Sequence, residues 1–208
     1  MTIKSVTFFT LFLFMLTAAS AQDKWELRRN EDGITIYSRQ SPDGKLVELR
    51  LLCQLDATPE ELIKQLLDIN SYTNWVYSNR KSAIIKKVND HDIIYFTESH
   101  LPWPIQDRDL VVELNIEPVT TPNATQIILV KSVDGILPPK RHFIRVPYSL
   151  VTWRITPIPG NKVNIDYTFS LNPGGSIPKW LVNMTITTGP YKSFVKLREL
   201  LKVERNKR

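Results

Sequence analysis

The C-terminal stretch Ser176–Val203, SIPKWLVNMTITTGPYKSFVKLRELLKV, constrains this chain more than any other. Its apolar residues Ile177, Trp180, Leu181, Met184, Tyr191, Phe194, Val195 and Leu201 recur by threes, fours and sevens. That is the period of a long helix with one buried face. Asn172-Pro173-Gly174-Gly175 breaks the pattern that precedes it, Ser176 suits the N-cap, and Pro178 falls in the first turn, where an absent N–H costs nothing. Lys196, Arg198 and Lys202 lie towards the C-terminal end, where cations complement the helix dipole. Gly189-Pro190 falls mid-stretch, so the helix is expected to kink or split where Pro190 lacks a donor. A terminal helix of this length needs a large apolar surface to lie on, and the rest of the chain must supply it.

Most of the preceding residues read as strands. Trp25–Leu27 and Gly33–Arg39 flank the turn Asn30-Glu31-Asp32-Gly33. In Lys45–Leu55, Val47, Leu49, Leu51, Cys53 and Leu55 take one face, and Glu48, Arg50 and Gln54 the other, as in a half-buried antiparallel strand. Thr58-Pro59-Glu60-Glu61 then opens a helix, with Thr58 and Glu61 forming a capping box, Pro59 at the first position, and Leu62, Ile63, Leu66 and Leu67 on the apolar face. After a loop or short helix through Tyr72 and Trp75, further strands are expected over Ala83–Val88, Asp92–Ser99, Asp107–Glu117, Thr125–Val133, Arg141–Pro147, Leu150–Ile158 and Lys162–Leu171. Short turns between neighbours predict an antiparallel meander. The class is α+β: a curved antiparallel sheet closed by a long C-terminal helix. Such a sheet encloses a volume, which the helix either fills or roofs; the pattern leaves both open.

Composition and the N-terminus narrow the setting. Residues 1–21 read as a signal peptide, with Lys4 before the apolar run Val6–Leu16 and Ala19-Ser20-Ala21 as the cleavage site. The run is short for a membrane span. Residues 22–208 then form one domain, exported to a periplasm or secreted. Cys53 is the chain's one cysteine, which excludes an internal disulfide and reads as a small buried apolar residue. The net charge is +6, and much of the excess lies in the tail from Lys202 to Arg208, either a solubilising helix end or a contact for anionic lipid head groups. No nucleic-acid motif is present, and no nucleic-acid partner is expected.

The run Leu101-Pro-Trp-Pro-Ile-Gln-Asp-Arg-Asp-Leu-Val-Val112 is the most informative local motif. Its prolines demand a loop, and a strand resumes at Asp107-Arg108-Asp109. Arg108 shares parity with Leu110, Val112, Leu114 and Ile116, so period-two geometry aims it at the apolar face. An inward arginine must find a carboxylate, carbonyls or a ligand head group, because an unpaired buried charge costs several kcal/mol. Glu98 on the preceding strand, with His100 beside it, is the candidate partner.

Together these fragments resemble a family. The tryptophan-led first strand with G-I-x-I-Y-x-R, Tyr72-x-x-Trp75, W-P-x-x-D-R-D-L-V-V, and the closing N-P-G-G-x-I-P-x-W-L-x-N helix, in this order over Gln22–Lys202, look like a START domain of the helix-grip superfamily. The resemblance implies a curved sheet around a hydrophobic tunnel with the C-terminal helix as lid. It implies binding of one lipid or other apolar molecule, without catalysis and without a cofactor.

For ligand contact the lid positions Trp180, Met184, Thr188, Tyr191 and Val195 are the first candidates, then the inward strand residues Trp153, Tyr167 and Phe169, with Arg108, Glu98 and His100 as polar groups. Hydrolase, zinc-protease, phosphate-loop and dinucleotide motifs are all absent. His91, His100 and His142 are scattered without metal-ligand spacing, although His142 alternates with Ile144 and Val146 and by parity points inward. Two other classes stay open: a helix-grip enzyme acting on a polyketide- or sterol-like substrate, and a filled, ligand-free interaction module.

Overall fold

The computed structural model describes residues 25–41, 46–121, 123–175 and 177–206, and for 179–185 the backbone alone. The segment read as a signal peptide and the proposed cap Ser176 lie outside the described residues. Ten strands are present among them: β1 (Glu26–Glu31), β2 (Ile34–Gln40), β3 (Val47–Leu55), β4 (Asn79–Lys87), β5 (Asp92–Ser99), β6 (Asp107–Ile116), β7 (Gln126–Ser132), β8 (Phe143–Arg145), β9 (Tyr148–Ile158) and β10 (Lys162–Asn172). The helices are α1 (Pro59–Leu67), α2 (Tyr72–Trp75) and α3 (Lys179–Asn206), with a 3-10 turn at Ile69–Ser71 before α2.

All strands join one sheet in the order β1-β2-β3-β10-β9-β7-β6-β5-β4, antiparallel throughout except for β8, which pairs in parallel with β6. The meander expected from the short turns holds within β1 to β3, from β4 to β7 and from β9 to β10, but the strand expected over Arg141–Pro147 shortens to β8, which steps out of it to pair in parallel with β6 while β7 pairs directly with β9. Nor does the meander hold between β3 and β4. There α1 and α2 carry the chain to the far edge, and β3 pairs with β10, so that Leu49, Leu51 and Cys53 stand opposite Phe169, Tyr167 and Ile165. This long-range pairing brings the two ends of the domain together in the middle of the sheet.

Local chemistry explains the elements. Asp32 and Gly33 both have positive φ, 51° and 69°, the turn whose twist matches a right-handed hairpin. The capping box forms: the Glu61 N–H donates to Thr58 Oγ1 at 3.3 Å, and the Thr58 N–H donates to Glu61 Oε2 at 2.9 Å. The strand alternation is realised in burial, with Leu49, Leu51 and Leu55 at 0–1 % exposure. Full burial of such side chains stabilises the fold by about 1.5–3 kcal/mol each. Cys53 is buried as well, and burial pushes its thiol pKa up to about 12.

Helix α3 packs on α2, β2 and β3, and it buries Ile186, Phe194, Leu197 and Leu201. It continues through Pro190 as one element rather than splitting there. Close to that point the Ser193 hydroxyl donates to Gly189 O at 2.9 Å, back along its own helix.

Candidate ligand-binding cavity

The helix roofs a cavity; it does not fill the sheet. The space measures about 530 Å³ and lies between α3, the inner faces of β5, β6, β9 and β10, and α2. Its length follows from β6, where Arg108, Leu110, Val112 and Leu114 all line it. Six residues of strand span about 20 Å. Trp153, Tyr167 and Phe169 form the opposite wall, with Thr188 on the roof. Among the described residues, no Asp, Glu, His, Cys or Lys lines this space.

One part of the cavity is an aromatic cluster. Phe194 stacks on Trp153 with centroids 5.1 Å apart and planes 23° apart, and Tyr167 meets both edge-on at 4.8 and 5.3 Å. Tyr72 lies edge-on to Trp75 and Tyr95 at 5.1 and 5.7 Å and donates its hydroxyl to Leu66 O at 2.6 Å. Burial raises the pKa of Tyr72, Tyr95 and Tyr167 above the ordinary tyrosine value, so these phenols stay protonated. The indole Nε1 of Trp75, a residue only 4 % exposed, has no partner in the structure.

The polar end is Arg108. Period two aims it inward as expected, and it is 5 % exposed. Its partners are carbonyls: Gln106 O, Gly174 O at 3.1 Å and, at longer reach, Pro173 O at 3.4 Å. The guanidinium thus ties β6 to the loop before it and to the loop entering α3. Burial lowers its pKa.

Glu98 and His100 do not join it. The residue opposite Arg108 is Ser99, whereas Glu98 stands opposite Asp109, and a one-residue step moves a side chain to the other face. Glu98 accepts from Lys140 Nζ at 2.6 Å on the outer face. His100 is exposed, with Nδ1 2.9 Å from Asp107 Oδ1. Burial alone would raise the Asp107 carboxyl pKa, but hydrogen bonds from the Leu101 N–H, Arg80 and His100 hold it below the usual carboxylate range. His142 is exposed in a turn with φ 67°, not inward. Among the described residues, no group of three His, Cys, Asp or Glu side chains is set to hold a metal ion.

The lid face is also rotated from the expected one. Tyr191 leaves the cavity: its hydroxyl donates to Asp32 Oδ2 at 2.6 Å and its ring lies under the Arg29 guanidinium at 4.3 Å. Val195 packs against the core without lining the cavity. The inward stripe instead carries Ile186, Gly189, Pro190, Ser193 and Phe194. The side chains of Trp180 and Met184 lie outside the described residues. Of the expected lid positions whose side chains are described, Thr188 alone lines the cavity; Gly189 and Ser193 carry no hydrophobic signal, being small or polar. Tyr72 and Trp75 also line the cavity; their sequence signal was two aromatics three residues apart on a short helix.

Comparison with known proteins agrees with this geometry. A START domain family model matches residues 10–207. A STAR-related lipid transfer protein fragment from Xanthomonas axonopodis superposes with a TM-score of 0.78 at 28 % identity, covering 86 % of this chain and 99 % of that one. The phosphatidylcholine transfer protein of Mus musculus is 24 % identical over 168 residues, 79 % of this chain and 78 % of its own length. An aromatase/cyclase from Streptomyces shares the fold at 11 % identity, with a TM-score of 0.55 over 78 % of this chain and 96 % of its own.

Proposed function

This chain belongs to the START domain family, and on that premise we propose that it binds, and passes on, one hydrophobic ligand held beneath α3. The observation that carries this reading is the cavity of about 530 Å³ walled by aliphatic and aromatic side chains. One long acyl chain or one fused-ring skeleton is of that size, within the range of small-molecule sites. Catalysis is disfavoured by the lining. The described walls offer protonated phenols and a guanidinium but no carboxylate, imidazole, thiol or amine to act as general base.

Delivery fits the rim of the cavity. Leu101, Pro102 and Ile105 line the space, and Trp103 on the same loop is 92 % exposed, an amphipathic ring suited to a membrane–water interface. The exposed cations Lys202 and Arg205 at the end of α3 suit transient contact with anionic head groups. In the same reading residues 1–21 direct export, and the mature protein starts at Gln22.

Native mass spectrometry of the protein purified from its own compartment, with analysis of the released material, tests the reading. One small apolar molecule per chain is expected, on a mass that begins at Gln22. A clean apo mass that persists after incubation with mixed lipids would refute the carrier.

A further inference from the structure

Resting on the carrier reading, we propose that the cavity selects a ligand with an anionic head group, a carboxylate or a phosphate, and that Arg108 is the residue that recognises it. Six other arginines of this molecule are each matched by a carboxylate, whereas Arg198 is held by the Asp32 carbonyl. Arg28, Arg29, Arg39, Arg50, Arg80 and Arg145 each meet a carboxylate within 2.8 Å. Two of them do so through a fork of two bonds, Arg50 on Asp166 and Arg145 on Asp109. Arg108 is more deeply buried than any of these, at 5 % exposure, and meets no carboxylate among the described residues.

The strand itself enforces this. In Asp107-Arg108-Asp109 the two acids project to the outer face, where Asp107 is taken by Arg80, His100 and the Leu101 N–H, and Asp109 by Arg145. Alternation therefore separates the cation from both of its sequence neighbours. The three carbonyls that surround Arg108 solvate it without neutralising it. A guanidinium carries five N–H donors, and three bonds leave two of them for another acceptor. Arg108 also lines the cavity, with Ser99 beside it on the neighbouring strand. A ligand that brought an oxyanion to this end would supply the missing charge in a site already desolvated, where a charge-assisted bond is strongest. Its apolar body would run along β6 towards Leu114 and the aromatic cluster.

The test compares ligands matched in everything but charge. Hexadecanoic acid is paired with hexadecan-1-ol, and a lysophosphatidic acid with the monoacylglycerol of the same chain. Each is delivered from cyclodextrin to the full mature chain at a pH where the acids are ionised. The expected result is that at least one acid binds tenfold or more tightly than its neutral partner. The carboxylate pair and the phosphate pair report which head group is meant. Arg108→Gln is expected to abolish the preference, weakening binding of the acid tenfold or more beyond any change it makes to the neutral partner. Equal binding of acid and neutral partner by the wild-type chain in both pairs overturns the proposal. So does a variant that weakens acid and neutral ligand alike, since that is what a purely structural tie between loops would produce. The wild-type comparison decides the matter if Arg108→Gln fails to fold. If no member of either pair binds, the carrier reading itself fails.

Discussion

Ser193 accepts the backbone N–H of Tyr77 on its hydroxyl at 2.9 Å, so the middle of α3 is pinned to the segment that links α2 to β4. The same hydroxyl donates to Gly189 O at 2.9 Å, and Lys192 Nζ sits 5.0 Å from the centroid of the Tyr77 ring. A Cβ at Gly189 would lie 3.5 Å from Tyr77 Cδ1, so the helix passes close to this segment. The joint stands at the edge of the cavity, because Tyr77, Gly189, Pro190 and Ser193 all line it.

Ser193→Ala removes that pin. The Tyr77 N–H then loses its partner, and at this part-buried position the net loss of one hydrogen bond is about 1 kcal/mol. A domain of this size shifts by about 2–4 °C per kcal/mol, so a melting curve is expected to fall by a few degrees. Exchange of a bound fluorescent lipid is expected to accelerate in the same variant. An unchanged melting curve would mean that water replaces the hydroxyl at no cost and that the joint contributes nothing.

Pro190 acts on the same joint from within the helix. It withholds the N–H that Ile186 O would accept, and it does so at the cavity wall. Pro190→Ala restores the donor and is expected to stiffen α3, raising the melting temperature and slowing ligand exchange several-fold in stopped-flow measurements. Unchanged exchange together with a well-ordered straight helix would rule out bending at this point as the route by which ligand enters.

How far the sequence foretold this site depends on the kind of geometry involved. Period-two alternation reads off reliably wherever one face is apolar, and it gave β3, β10 and the inward aim of Arg108. It could not give the partner of Arg108. That depends on cross-strand register, which the β5–β6 loop sets and which a shift of one residue inverts, as Glu98 and Ser99 illustrate. Long-range pairing such as β3 with β10 leaves no local mark at all. On α3 the error has another cause. Hydrophobicity marks residues that leave water, and both the cavity face and the flank against the core do so. Val195 was therefore indistinguishable from Phe194, and Ser193 was invisible.

Phe194 links lid to wall. At 2 % exposure it stacks on Trp153 and meets Tyr167 edge-on. Phe194→Ala is expected to cost about 3–5 kcal/mol in urea unfolding, as large-to-small core changes do. A saturating hydrophobic ligand that fills the enlarged space is expected to recover part of that loss. A cost below about 1 kcal/mol would show that the aromatic cluster collapses to fill the gap, and that its packing does not set the cavity's shape.

The buried phenols predict an alkaline limit to stability. Burial is the largest cause of the raised pKa at Tyr72, Tyr95 and Tyr167, with neighbouring tyrosines adding to it at Tyr72 and Tyr167. A group whose folded pKa exceeds its unfolded value binds its proton more tightly in the native state. Its stabilisation is complete below the unfolded pKa of 10.0 and is lost as pH rises above it towards the folded value. Each such group steepens the loss by up to about 1.4 kcal/mol per pH unit, so three acting together make a sharp transition. Thermal melts at increasing pH are expected to hold steady to about pH 9 and to fall steeply between about 10 and 11. Phenolate absorbance from these three rings should appear only with unfolding, and the hydrogen bond to Asp32 likewise raises the pKa of Tyr191 above the ordinary tyrosine value. Tyr167→Phe removes one of the three protons and should make the fall shallower. Ionisation of all seven tyrosines near pH 10.0 in a chain whose melting temperature does not change would show that the cavity admits water freely to its aromatic end, contrary to the packing around Trp153 and Phe194.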